Sequence, residues 1–159
     1  SRLYSKLVRD SGLAASVNSD ANYPGVRSAN LFVLSATPLA PHTVAEVEAA
    51  ILAELERLKS EPVSAKELER IINNLDADMV RALRSNSGLA SQLALYQTVA
   101  GDWRYVLRSR DKIAGVTPAD IQRVAAQYFT KSNRTVATLV KKPAPKPLST
   151  AVSSKEGRS

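Results

Sequence analysis

Three stretches of this sequence carry the same helix-start chemistry: T-V-A-E at Thr43, S-A-K-E at Ser64 and T-P-A-D at Thr117. In each, a Ser or Thr oxygen can accept from the free N–H groups of a first helical turn, and an acid at the third position can reach back to the cap. Pro118 takes the first helical position at the last start, where its missing N–H costs nothing. Behind Thr43, the residues Val44, Val47, Ile51, Leu55 and Leu58 form one apolar stripe that runs to about Lys59 and is stopped by Pro62. Behind Ser64, Leu68, Ile71, Ile72, Leu75, Met79 and Leu83 form another. That pattern breaks or kinks at R-S-N-S-G, ending at Gly88, and resumes as LASQLALYQTVA. A short helix near Asp102–Lys112 precedes the last capped helix, expected over residues 118–129.

The segment before Thr43 has a different period. Leu3, Leu7 and Val8 recur at helical spacing within residues 1–10, and Gly12 is a plausible stop. Residues 13–20 and 29–37 read as an antiparallel hairpin joined by N-Y-P-G-V-R. The continuous apolar run Leu31, Phe32, Val33, Leu34 predicts a central strand covered on both faces. A final strand is predicted at Thr135–Val140. The order α, β, β, several helices, β gives an α+β fold: an antiparallel-rich sheet packed with several helices. The abrupt start on a helical pattern leads us to expect a piece of a longer polypeptide.

With 159 residues, 44% of them apolar and 5% aromatic, the chain can bury one modest core. We read residues 1–142 as one partial domain and 143–159, rich in Pro, Ser and Lys, as a disordered tail. The net charge of +7 invites a nucleic-acid partner, but five of the 22 basic residues lie from Lys141 onward against the single acid Glu156. The remainder is nearly balanced and has no basic stripe, aromatic RNA-binding pattern or Gly-rich phosphate loop, which excludes nucleic acid as the expected partner. No run approaches the roughly 20 apolar residues of a membrane span.

Chemistry-bearing residues are sparse. There is no cysteine and one histidine, His42, which follows Pro41 just before the Thr43 cap. Neither H-x-x-E-H nor H-E-x-x-H occurs, and a single imidazole cannot hold zinc, so we expect no metal ligands in this chain. Glu46, Glu48, Glu54, Glu56, Glu61, Glu67 and Glu69 fall between apolar stripe positions and read as solvated helix faces. Asp76 and Asp78 are two apart and point to different sides. No G-x-S-x-G elbow accompanies the serines, and Tyr96, Trp103 and Tyr105 read as packing anchors. We therefore expect no catalytic residue. Arg9 stands apart, because it closes the first helix just ahead of the Gly12 turn and the first strand, from where a guanidinium can reach the sheet edge. Its plainer reading is a cation at a helix C-terminus.

SRLYSKLVRDSGLAASV resembles the segment S-R-L-[YF]…L-[VR]-R-[ED]…G-L-A-Y-S-V of the pitrilysin/insulinase family of zinc peptidases, which includes mitochondrial processing peptidase. LFVLSATP, LKSEPVSAKELER, SNSGLASQLA, AGDW and IAGVTPADIQRVAAQYFTKSNRTVATLVKKP follow in the family's order, so the resemblance covers about residues 1–143. It implies a clamshell of two homologous halves, each with two related α+β domains, closing around an extended peptide. Zinc and the catalytic base sit in one domain, and the others supply wall, hinge and peptide contacts. This chain resembles a non-catalytic, C-terminal-type domain of a bacterial member, with the domain's first strand and helix preceding Ser1.

The resemblance implies that Arg9 reaches the substrate. Ala15 stands where many family domains carry a Tyr after G-L-A, and the connection from Arg9 to that motif is one residue shorter. Losing the phenol removes a hydrogen-bond donor that could support an oxyanion. The implied function is a non-catalytic domain forming part of the chamber wall that encloses and positions peptide substrate. The alternative is a catalytically dead interaction or assembly module of the same fold. No cofactor is expected in this chain, and zinc belongs to a separate catalytic domain. That domain, on the same chain or a partner subunit, and a peptide substrate are the implied partners, with a homo- or heterodimer left open. The resemblance favours the periplasm, and the cytoplasm is the alternative.

Overall fold

A computed structural model describes residues 1–140. The expected tail, 143–159, lies outside the described residues. The capped helices form where local chemistry dictates. Thr43 N–H donates to Glu46 Oε2 at 2.6 Å, and Glu46 N–H returns to Thr43 Oγ1 at 3.3 Å. This reciprocal box opens α2, Val44–Ser60. The same box between Thr117 and Asp120, with Pro118 in the first turn, opens α6, Pro118–Tyr128. Ser64 caps α3, Ala65–Ala82, by accepting from Glu67 N–H. The expected break falls at Leu83–Ser85, after which the Ser85 side chain caps α4, Asn86–Ala100. Gly101 ends α4 at a left-handed φ of 72°, a conformation glycine takes without a Cβ penalty. α5 spans Tyr105–Ala114.

The N-terminal helix differs from a regular one. α1 is only Arg2–Tyr4 and runs directly into a π-helical turn, Ser5–Asp10, closed by Ser11 N–H donating to Lys6 O at 3.2 Å. The hairpin is present as β1, Ala14–Tyr23, and β2, Leu31–Pro38, paired antiparallel from Ala14 opposite Pro38 to Tyr23 opposite Leu31, with shifts near each end. Leu7, Ala14 and Val47 form the buried centre, wrapped by Leu3, Val8, Leu13, Ala36, Ala50 and Ile51. The first turn, the start of the sheet and one face of α2 thus share a single small core. α6 packs on α2, while α3, α4 and α5 pack on one another. The result is an α+β arrangement of six helices and an antiparallel strand pair among the described residues.

Two strand expectations need correction. β2 is not covered on both faces among the described residues: Leu31 is 62% exposed, and β1 is its only strand neighbour. Residues Thr135–Val140 are not a strand, and no backbone hydrogen bond among the described residues engages them. For Thr135–Val140 the physical reason is that strand propensity becomes a strand only where a neighbouring edge completes the ladder, and none does among the described residues.

The acidic set also needs correction at two positions. Glu54 keeps only 10% of its side-chain exposure, beside Arg57 Nη1 at 3.1 Å. Glu67, instead of closing its capping box, receives Arg2 in a forked pair, with Nε at 2.9 Å from Oε1 and Nη2 at 2.7 Å from Oε2. A planar guanidinium matched to a carboxylate is the stronger partner, so the pair ties α1 to the start of α3. The hydrogen bonds from Arg2 hold the Glu67 carboxyl below the usual glutamate range. A lowered folded-state pKa means stability that is present above the unfolded value of about 4.3 and lost as pH falls through the folded one. Urea midpoints are therefore expected to drop more steeply below about pH 4.3 in the unaltered chain than in Arg2→Ala. Parallel profiles for the two would remove the pair from the acid response.

Candidate substrate-facing site

The π-helical turn decides where Arg9 lies. Its wider winding carries the chain to Ser11, whose Oγ donates to Lys6 O at 2.6 Å, and then to Gly12 at φ 62°. That left-handed glycine reverses the direction of the chain, so that Leu13 O accepts from Leu39 N–H at 3.0 Å and Ala14 drops into the core. π turns of this kind occur frequently at functional sites. Arg9 stands at the rim of this reversal with 67% of its side chain exposed. Ala15, next along β1 from buried Ala14, points outward.

Arg9 donates from Nε to Asp10 Oδ1 at 2.8 Å and from Nη2 to Oδ2 at 3.4 Å. The hydrogen bonds raise the guanidinium's pKa and lower that of the Asp10 carboxyl, so both stay charged across the ordinary pH range. A guanidinium has five N–H donors in a fixed fork, and Asp10 engages only one side of it. The remaining donors can bind a carbonyl or carboxylate that approaches over the rim. The Ala15 methyl contributes no donor. The two positions singled out by the sequence are thus both at the surface near the start of β1, and only one of them has polar chemistry.

The other candidates have structural partners. His42 Nδ1 lies 3.8 Å from Glu46 Oε2, the oxygen that also receives the Thr43 amide of the cap. Among the described residues, no group of three or more His, Cys, Asp or Glu is placed to hold a metal ion. A protein zinc site takes three or four such ligands, and one imidazole beside an engaged carboxylate does not fit one. Asp76 receives Arg110 from α5 at 2.9 Å, and Asp78 pairs with Arg81 on its own helix. The Tyr96 and Tyr105 rings pack with centroids 5.7 Å apart, and the Tyr96 hydroxyl meets Ser109 Oγ at 3.2 Å. Trp103 is instead half-exposed, with the Arg104 guanidinium 4.5 Å above its ring. No described helix is long and apolar enough to cross a membrane.

Sequence reasoning missed a groove between β2 and the segment after α6, with a volume of about 520 Å³. Its signal was present as two strand-like runs, but each was assigned to a completed sheet.

Residues 1–75 match the family described as Peptidase M16 inactive domain. The fold is similar to that of a protease from Helicobacter pylori, at 27% identity and a TM-score of 0.76 over 84% of this chain and 31% of that one. It is also similar to a protein from Bordetella pertussis Tohama I assigned as a zinc protease, at 28% identity and a TM-score of 0.72 over 85% of this chain and 72% of that one. The inactive peptidase domain of a Bordetella parapertussis protein with the same assignment matches at 27% identity and a TM-score of 0.68, over 86% of this chain and 72% of that one. No curated protein matches the sequence. The chain thus spans less than a third of the Helicobacter protease and most of each Bordetella chain. The family match over residues 1–75 and the shared fold agree: the chain is similar to the inactive peptidase domains of the M16 peptidases, the pitrilysin/insulinase family.

Proposed function

We propose that this domain forms part of the wall of a peptidase chamber, where it encloses and orients a peptide while a separate zinc-holding domain carries out hydrolysis. The observation that carries the reading is Arg9, a permanent cation held at the rim of the first chain reversal with donors to spare. Within a closed chamber, such a group fixes the register of a peptide by binding one of its carbonyls or carboxylates. Positioning of this kind lowers the entropic part of the barrier without any catalytic group on this chain. A periplasmic location and a catalytic domain as partner go with this reading.

Ala15 favours a second reading, in which the domain is an assembly scaffold, because the strand start offers the substrate only a methyl group. Steady-state kinetics of the complete peptidase separate the two. Arg9→Ala is expected to raise KM about two- to fivefold with little change in kcat, the range of an exposed ion pair worth about 0.5–1 kcal/mol. Arg9→Lys should recover part of that loss. Unchanged constants in Arg9→Ala would support the scaffold instead.

A further inference from the structure

The π-helical turn does more than steer the chain toward Gly12. In an α-helix, residues five positions apart lie about 140° apart around the axis. Tyr4 and Arg9 are such a pair, and a regular helix would turn them away from each other. A π ladder changes this, because its hydrogen bonds join residue i+5 to residue i and bring the two to neighbouring positions on one side. The turn Ser5–Asp10 starts directly after Tyr4 and is closed by the bond from Ser11 N–H to Lys6 O. Tyr4 and Arg9 are thus the two ends of one π step.

Both side chains face solvent, with Tyr4 51% exposed beside the exposed Arg9. Tyr4 engages Ser1 Oγ through its main-chain N–H, and its hydroxyl has no hydrogen-bond partner among the described residues. It lies near enough to Arg9 to add to the field that keeps the guanidinium charged. Asp10 takes the Nε and Nη2 edge of Arg9, which leaves the other fork, Nη1 with the second N–H of Nη2, open. A fork of this kind matches the two oxygens of a carboxylate. The local charge has the matching sign. Arg9 and the exposed Lys6 stand against the single acid Asp10, whose carboxyl the Arg9 hydrogen bonds, and behind them the Lys6 charge, hold below its ordinary range.

We infer that Tyr4 is a second substrate-binding residue beside Arg9, and that the two together hold a carboxylate of the bound peptide. The phenol donates to one oxygen and the guanidinium fork to both. The inference rests on the reading of Arg9 as a peptide contact, and narrows that contact to an anionic group. A main-chain carbonyl has two lone pairs and no charge, whereas an ionised carboxylate offers about four acceptor sites. Three donors with an excess cation beside them suit the carboxylate. Its source is an acidic side chain or the peptide C-terminus, which present the same chemistry.

The test is peptide binding to the complete peptidase, freed of zinc with a chelator so that the probes are not cut. The probes are four fluorescein-labelled, alanine-rich nonapeptides with a central Glu or Gln and a free or amidated C-terminus, read by anisotropy. At least one carboxylate-bearing probe is expected to bind more tightly than the Gln amide, and whichever carboxylate carries the preference names the source. Tyr4→Phe keeps the ring and removes only the hydroxyl. It should weaken the preferred probe about three- to tenfold, the range of one hydrogen bond, and leave the Gln amide unchanged. Arg9→Ala should erase the preference. Loss in Arg9→Ala with full affinity in Tyr4→Phe would overturn the inference and leave the Arg9 contact standing. Equal loss for all four probes in Tyr4→Phe would make Tyr4 a packing residue and overturn it as well. Equal affinity of the four probes for the unaltered enzyme, or none, would overturn the carboxylate. Indifference to both substitutions would remove Arg9 as a peptide contact, and the inference with it.

Discussion

Replacing Leu7 by alanine is expected to cost about 2–5 kcal/mol, the range for deleting a large apolar side chain from a packed site. Leu7 is 0% exposed and sits between Ala14 and Val47, so the π-helical turn, the first strand and α2 all lose contacts to one cavity. Two of the three central residues are small or β-branched, and neither can swing into the space. A domain is typically stable by only about 5–15 kcal/mol, so the variant should lose a large part of its folded population. The measurement is the urea midpoint at constant m-value, with Leu139→Ala as the comparison. Leu139 is 97% exposed, and its truncation should change stability by no more than about 0.5 kcal/mol. A Leu7→Ala loss under about 1 kcal/mol, below the usual range for such sites, would show that the core centre lies elsewhere.

Gly88→Ala is expected to destabilise by about 1–3 kcal/mol, as overpacked substitutions do. The sign is the informative part. In the first turns of a helix, alanine normally improves on glycine by about 0.5–1 kcal/mol. Here the added Cβ would collide with the carbonyl oxygen of Ala82 and stand 2.9 Å from Ser85 Oγ, the oxygen that caps α4. A backbone carbonyl at the end of α3 cannot rotate away as a side chain can, so the α3–α4 corner must open. Gly115→Ala provides the contrast, since its nearest neighbour would be the Asp111 carbonyl at an ordinary 3.5 Å and its φ of −82° suits any residue. Denaturation curves should show the two glycine variants moving apart. A stabilised Gly88→Ala would mean that the corner is looser than its geometry.

Much of the fold was legible because the information is local. A threonine followed by an acid at the third position forms its cap from a single turn of chain, and both such boxes closed as read, at Thr43 and Thr117. The Leu83–Ser85 break was also local, because Ser85 offers an oxygen to a new helix start. Ser64 behaved differently. Its cap formed, but Glu67 turned to Arg2, a residue 65 positions away that no local rule could weigh.

The candidate site divides in the same way. That one imidazole and no thiol offer too few zinc ligands is a matter of composition and could be counted directly. The charge of Arg9 and the missing phenol at Ala15 were also written in the sequence, whereas the Asp10 clamp and the outward position of both residues required the chain reversal to be seen. The apolar runs at Leu31–Leu34 and Thr135–Val140 both state a propensity for strand, and only the first of them forms one, as β2. Whether each edge meets a neighbour is a property of the whole packed chain, since a ladder needs two segments brought together across long loops. The tertiary structure decided that: it left β2 with one neighbour and the 134–140 segment with none among the described residues, and set both beside the same groove over α2.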